Sequence, residues 1–372
     1  MKNQRLKYAW ITISIILHLV NNICPFAGQL YAQESPVKFS PTLKWTGFTN
    51  IWSGYAQRDS LDAYYGLNVR HLRIKASGKL APQVKYTVQF AFDRGNPALL
   101  DVHLSYEHND FFKVRFGQFG VPGAKTGALS SPMWSTTKMV FNDRSTITQN
   151  WMSNTGLKGY RAGGIMIYGQ ILKRKLHYFF MGAFPNTGPN YYWNSSVKNP
   201  SYEDNENRRA LFTRLEYRPI DEIEMGISYN IGKSSGDTTT IDRASYSAHF
   251  LLKKEKLRLM AEYIAGENNH YTHNIRNKNY SYLGYLFELS YHLNSQIEPS
   301  IRFDSYQPDT NKTDNFGFNK YDNITLGVNY YPSKNIALMT NYIIRSESNI
   351  SNDYTLHNNI LFVQLRFLFK AS

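Results

Sequence analysis

Residues 84–93 read Val-Lys-Tyr-Thr-Val-Gln-Phe-Ala-Phe-Asp, with a large apolar side chain at every second position from Val84 to Phe92. Because successive side chains of a β-strand point to opposite faces of the sheet, this stretch predicts a strand with one apolar and one polar face. About nine to eleven such residues are enough to cross a bilayer as a tilted strand. The stretch therefore predicts a strand that separates lipid from a polar interior.

The same alternation recurs along the rest of the chain and predicts sixteen strands. They lie near residues 43–57, 64–79, 84–94, 99–108, 111–118, 155–170, 175–184, 208–217, 222–233, 243–253, 257–266, 280–292, 296–306, 320–331, 335–347 and 355–369. A soluble β-sandwich also alternates, but here short turns alternate with long polar loops, which is typical of transmembrane barrels. We therefore predict an all-β fold: a closed transmembrane antiparallel β-barrel of about sixteen strands that ends at Phe369 and encloses an aqueous lumen.

The N-terminal segment is typical of an export signal. Its basic residues are Lys2, Arg5 and Lys7. A mostly apolar run follows at residues 9–20, and the small residue Ala32 marks the expected cleavage point. We predict a signal peptide at residues 1–32 and a barrel domain at residues 33–372. A retained helical anchor is the alternative, but the apolar run is shorter than the roughly 20 residues that a membrane-spanning helix needs.

Charge and cysteine content narrow the function further. The chain has a net charge of +14, and the mature part would keep 39 basic and 28 acidic residues, a net charge of +11. This excess indicates contact with anions, although the sign alone does not distinguish nucleic acid, lipid headgroups or a diffusing anion. The single cysteine, Cys24, falls in the signal peptide, so the mature barrel has no thiol chemistry.

The second predicted strand contains a phase slip. Leu67 and Val69 place odd positions on the lipid face, whereas Leu72 and Ile74 place even positions there. A β-bulge at Arg70-His71, which adds one residue to one strand, would restore the apolar face and turn both side chains into the lumen. The alternative is a strand that starts at Leu72.

A long segment without alternation, Gly120 to Asn154, would be the third outer loop. Unstructured loops of this length are usually functional, and we expect this loop to fold into the lumen. We predict a basic constriction, because rings of Arg and Lys select anions in pores. Its predicted residues are Arg70, His71, Arg73, Lys75, Lys113, Arg115, Lys125, Lys138 and Arg144. In the alternative interpretation, inward cations and acids pair across strands and leave little free charge.

Several segments resemble the phosphate-selective porin O and P family. The first is Arg70-His71-Leu72-Arg73-Ile74-Lys75, followed by Gly78-Lys79-Leu80; later segments are Gly117-Gln118-Phe119 with Pro122, Asp143-Arg144, Arg161-Ala162-Gly163-Gly164, and Leu326-Gly327-Val328-Asn329-Tyr330-Tyr331-Pro332. The resemblance implies a porin of the Gram-negative outer membrane for passive diffusion of small hydrophilic solutes. It also implies a homotrimer, contact with outer-membrane lipid and lipopolysaccharide, small anionic solutes such as phosphate, and no nucleic acid.

The sequence departs from the family pattern at four positions. His71 replaces an arginine, Gly120 a lysine, Gly123 a phenylalanine and Ala162 an aspartate. These departures argue against high-affinity phosphate selectivity, but they do not argue against the barrel fold.

Other classes of function have weaker support in the sequence. A structural or adhesin barrel would not need inward basic residues, and an outer-membrane hydrolase would need a nucleophile motif such as Gly-x-Ser-x-Gly, which the sequence lacks. The pair His270 and His273 could be a metal pair, but it is predicted in a polar outer loop without a helix or a nearby cysteine to complete a site. We therefore expect no enzyme activity, no metal and no cofactor.

Overall fold

A computed structural model describes residues 40–56, 63–93, 96–125, 161–183, 209–235, 239–272, 275–307, 310, 320–349, 354–356 and 359–371. The predicted signal peptide lies outside these residues. All described strands belong to one compact unit, which spans Pro41–Ser372. Within the described part of the chain, no helix has the length and apolarity to cross a membrane.

The regular structure of the described residues is β-sheet. Its segments are β1 (Lys44–Ala56), β2 (Ala63–Ala81), β3 (Val84–Asp93), β4 (Asn96–Glu107), β5 (Lys113–Gly120), β6 (Arg161–Ile171), β7 (Leu176–Ala183), β8 (Arg209–Ile220), β9 (Ile223–Ser235), β10 (Thr239–Lys254), β11 (Leu257–Thr272), β12 (Ile275–Tyr291), β13 (Ile297–Gln307), β14 (Lys320–Ser333), β15 (Ile336–Asn349), β16 (Tyr354–Leu356) and β17 (Ile360–Ala371). Each segment pairs antiparallel with its neighbours. Every connection from an even-numbered strand to the next odd-numbered one, from β2–β3 to β14–β15, has at most five residues. The longest connections, β5–β6, β7–β8 and β13–β14, all lie at the other end of the sheet, although β3–β4 and β11–β12 at that end have only two residues each.

The sheet closes on itself. β1 pairs with β2 on one side and with β17 on the other. Both β16 and β17 pair with β15, so they are two segments of one barrel strand. The result is a closed antiparallel barrel of sixteen strands, which confirms the predicted number. The last strand ends at Ala371 and not at Phe369, because Trp45 of β1 still offers a pairing partner there.

The barrel is polar inside and apolar outside. In β14, Asn323 and Thr325 are buried, whereas Ile324 and Leu326 are exposed. The same inverted pattern holds in β13, where Arg302 is buried and Phe303 is exposed. A soluble protein would bury the apolar side chains instead, so this surface is suited to contact with hydrocarbon.

The hairpin of β11 and β12 is longer than predicted. β11 runs to Thr272 and β12 begins at Ile275, whereas the alternation predicted an end near residue 266 and a start near residue 280. The added residues are mostly polar, and those of β11 pair with those of β12 beyond the apolar band. Alternation reports only the part of a strand that contacts lipid, so it underestimates a hairpin that continues into water.

Candidate functional site

The predicted bulge in β2 is present. Asn50 of β1 pairs with His71, but the next residue, Ile51, pairs with Val69, so Arg70 is the extra residue. The Arg70 guanidinium lies 6.0 Å from the ring centroid of Trp52. The His71 Nδ1 atom lies 3.4 Å from the amide nitrogen of Asn50. Because Asn50 and Trp52 are buried on the inner face, both Arg70 and His71 point into the lumen.

The inner face of β2 continues with two more cations. The Arg73 guanidinium lies 5.8 Å from the ring centroid of Phe48. Lys75 is the next inward position, and its side chain is exposed to the lumen. Among the described residues, no carboxylate lies within ion-pair distance of Lys75. This part of the wall therefore presents positive charge to the lumen.

Arg115 of β5 is held by neutral groups. Its Nε donates to Ser105 Oγ at 3.0 Å, and its guanidinium lies 5.4 Å from the ring centroid of Phe119 and 5.0 Å from that of Tyr168. In the part of the chain that the structure describes, no carboxylate pairs with it. These contacts fix the guanidinium without neutralising its charge. Lys113, on the same strand, lies 3.8 Å from Asp110.

Lys125 has a different environment. Its Nζ lies 2.8 Å from Glu216 Oε1 and also contacts a carboxylate oxygen of Glu224, while its backbone N–H donates to Glu262. These three glutamates belong to β8, β9 and β11, which lie three, four and six strands along the sheet from β5. Lys125 is therefore neutralised by acids of the wall and is not an open cation.

The residues before Lys125 also contact the inner wall. Val121 and Ala124 are buried in an apolar cluster with Met181 and Phe212. Gly123 accepts a hydrogen bond of 3.3 Å from Arg214. The start of the long loop thus lies against the inner face of the barrel. The remaining loop residues up to 154, with Lys138 and Arg144, lie outside the described residues.

The acids of the inner wall are engaged by partners, as the ion-pair alternative proposed. Lys125 and Arg218 contact both Glu216 and Glu224. Arg214 contacts only Glu216, and His249 contacts only Glu224. The ligand atoms of Glu216, Glu224 and His249 lie within 4.8 Å of one another, as in some metal sites, but the carboxylates are already engaged by the ammonium and guanidinium groups.

Further along the wall, each carboxylate has its own partners. Glu298 accepts hydrogen bonds from Ser290, Asn329 and Tyr331. Asp304 pairs with Arg302 at 3.0 Å. The wall from β8 to β14 is therefore close to electrically balanced.

Arg161 is a site residue that the sequence did not single out. It is buried at the start of β6, and its Nε lies 2.7 Å from Asp101 Oδ1 of β4. Asp101 shares a lateral row with Gln89 and Lys75. Because Arg161 engages this carboxylate, the acid does not compensate Lys75. Arg161 on β6 and Asp101 on β4 lie on either side of β5. Strand periodicity does not predict an ion pair between strands that are not neighbours.

Comparisons with known proteins agree with this architecture. The family model of the phosphate-selective porins O and P matches residues 47–369. The anion-selective porin from Comamonas acidovorans is similar with a TM-score of 0.61 and 14% identity, covering 89% of this chain and 100% of that one. The outer membrane channel DcaP of Acinetobacter baumannii is similar with a TM-score of 0.61 and 12% identity, covering 91% and 99%.

Salmonella typhi OmpF has a TM-score of 0.61 and 13% identity, with coverage of 88% of this chain and 97% of its own. A comparison with curated protein sequences found no match. The structural likenesses, all at low identity, show the shared barrel fold, and the family match spans nearly all of the barrel. The chain therefore belongs to the phosphate-selective porin O and P family and forms a channel in the outer membrane of a Gram-negative bacterium.

Proposed function

We propose that this porin lets small hydrophilic solutes diffuse passively and that it prefers anions, phosphate among them. One observation carries the proposal. The inner face of β2 and β5 presents Lys75 and Arg115 without carboxylate partners among the described residues, whereas the described inward carboxylates from Asp101 to Asp304 are engaged. The lumen therefore has an excess of available positive charge on one side.

The size of this effect is sufficient for selectivity. Two unit charges about 4 Å apart interact by roughly 1 kcal/mol in water and by about 4 kcal/mol at an effective dielectric constant of about 20. A difference of about 1.4 kcal/mol changes a partition ratio tenfold. Two cations in a narrow lumen are therefore enough to favour anions over cations.

We assign different roles to the predicted constriction residues. Arg70, His71 and Arg73 extend the basic face of β2 toward the bulge, and Lys113 has a weaker role because Asp110 is near. Lys125 acts as the anchor of the long loop. We propose that the whole loop enters the lumen and narrows it, since its first residues already lie against the inner wall. Lys138 and Arg144 remain sequence-based predictions of constriction cations.

The family and the fold also support a proposal about the assembly of the protein in the membrane. We propose a homotrimer in contact with outer-membrane lipid, with no catalysis and no nucleic-acid binding. A similar barrel, OmpT of Vibrio cholerae, is described in a trimer form, and the Comamonas barrel is described as anion-selective. The residues 1–32 would be removed as a signal peptide before assembly.

A competition experiment tests the preference for phosphate. Phosphate added to a KCl solution should lower the single-channel chloride current, because phosphate resides longer near Lys75 and Arg115. Arg115→Gln should weaken this block several-fold. Lys173→Gln is the matched control, since it removes the same charge from an exposed turn outside the lumen. A block that is equal in Arg115→Gln and in the unaltered protein would refute the assignment of this site to phosphate.

A further inference from the structure

The segment Gly117-Gln118-Phe119 lies where β5 separates from β4. The ladder between these two strands ends at the pair of Val102 and Gln118, and β5 then pairs with β6 as far as Gly120. Residues 96–101 of β4 therefore have no ladder partner among the described residues of β5. This end of β4 needs another support on its β5 side.

The side chain of Gln118 supplies that support. Its amide nitrogen donates to the Leu99 carbonyl at 2.9 Å and to the Leu100 carbonyl at 2.8 Å. On the other side of β4, successive residues of β3 pair with Asp101 and Leu99, so Leu100 is the extra residue of a β-bulge. Bulges often re-aim a neighbouring side chain. Gln118 thus fixes the backbone of this bulge to β5.

Gly117 brings the two strands close enough for these hydrogen bonds. Its φ is +127°, a backbone conformation that residues other than glycine rarely adopt. A β-carbon at this position would lie 2.2 Å from the Val102 carbonyl oxygen and 2.8 Å from the His103 Cα atom. A larger residue would therefore push β5 away from β4 directly before Gln118.

The bulge positions the carboxylate of Asp101. Arg161 binds it with two groups: Nε lies 2.7 Å from Oδ1, and Nη2 lies 3.4 Å from Oδ2. Such two-point contacts between a guanidinium and a carboxylate depend on their relative placement. Asp101 directly follows the two carbonyls that Gln118 holds, so the Gln118 amide determines whether the carboxylate reaches Arg161.

A carboxylate released from Arg161 would have Lys75 as its alternative partner. Asp101, Gln89 and Lys75 occupy one lateral row on three successive strands. Because neighbouring strands lie about 4.8 Å apart, the Cα atoms of Lys75 and Asp101 are about 10 Å apart. Extended lysine and aspartate side chains together cover that distance. The released carboxylate would therefore compensate the charge that Lys75 presents to the lumen.

We propose that Gln118 is a positioning residue for the ion selectivity of the lumen. By holding the bulge of β4, it keeps the Asp101 carboxylate on Arg161 and leaves Lys75 as an available cation. Gln118 carries no charge itself and acts through Asp101. This inference rests on the proposed anion preference, which it deepens by naming a residue that maintains it.

A methionine at position 118 tests the proposal, because Gln118→Met keeps the length of the side chain and removes the amide donor. The ratio of chloride to potassium permeability, measured as the reversal potential in a KCl gradient, should fall several-fold. Gln296→Met is the matched control, since it makes the same substitution at an exposed turn. This control should retain the ratio of the unaltered protein.

A second substitution separates positioning from a merely structural role. Gln118→Met combined with Asp101→Asn should restore the permeability ratio at least to that of the unaltered protein, because a neutral amide does not compensate Lys75. The asparagine gives the bulge no new support, so the free energy of unfolding should stay as low as in Gln118→Met alone. If Gln118→Met does not fold, Arg161→Gln releases the same carboxylate and should lower the ratio, and Asp101→Asn should again raise it.

Two results would overturn the inference while leaving the anion preference intact. The first is an unchanged permeability ratio in Gln118→Met. The second is a reduced ratio that Asp101→Asn does not restore, which would show that Gln118 acts on the shape of the pore and not through the carboxylate. An unaltered channel without anion preference would instead refute the proposed function and this inference together.

Discussion

Lys75→Glu combined with Arg115→Glu should convert the channel from anion preference to cation preference. Both cations face the lumen without carboxylate partners among the described residues, so the double change replaces two positive charges by two negative ones at the same places. With about 1.4 kcal/mol for each tenfold change, the permeability ratio of chloride to potassium should fall by at least about a hundredfold. Reversal potentials in a KCl gradient measure this ratio.

The control is a double variant with the same net charge as Lys75→Glu combined with Arg115→Glu. Lys173→Glu combined with Lys256→Glu makes the same substitutions at exposed turns. Charges there are screened by salt over about 10 Å at 0.1 M ionic strength, so this variant should retain the anion preference. An equal loss of selectivity in both double variants would attribute the preference to the total charge and not to the lumen.

Lys125→Met should destabilise the barrel and raise its conductance. The substitution leaves Glu216 and Glu224 without the ammonium that lies between them. Removing one partner of a buried ion pair typically costs about 3–5 kcal/mol. The start of the long loop also loses its anchor on the inner wall, so we expect a wider lumen. Denaturant unfolding in micelles measures the first effect, and single-channel recording measures the second.

Two further variants make this result specific. Lys113→Met removes a cation whose partner, Asp110, is half exposed and 3.8 Å away, so the free energy of unfolding should change by less than about 1 kcal/mol. Adding Glu224→Gln to Lys125→Met should recover part of the lost stability, because it removes one of the two carboxylates next to the lost ammonium while Glu216 keeps Arg214 and Arg218 as partners. Unaltered stability and conductance in Lys125→Met would rule out its role as an anchor.

Strand periodicity predicted the number of strands and which side chains face the lumen. Contact with hydrocarbon forces every second residue of a strand to be apolar, so the inward orientation of residues such as Lys75 and Arg115 followed from the sequence. The bulge at Arg70 also followed, because an extra residue shifts the phase of the apolar positions on its two sides.

The pairing of charges did not follow from periodicity. Lys125 reaches glutamates on β8, β9 and β11 because of the path of the loop, and Arg161 reaches Asp101 across an intervening strand. Such contacts join residues that are distant in sequence, and alternation along one strand contains no information about its partners.

We propose that this barrel is an open channel with an anion-preferring lumen. The most direct test is the reversal potential of the unaltered mature protein in a planar bilayer, with KCl at different concentrations on the two sides. We expect discrete open-channel steps and a reversal potential whose sign shows that chloride is more permeant than potassium. Discrete steps with potassium more permeant, or a bilayer that stays closed despite inserted protein, would contradict it.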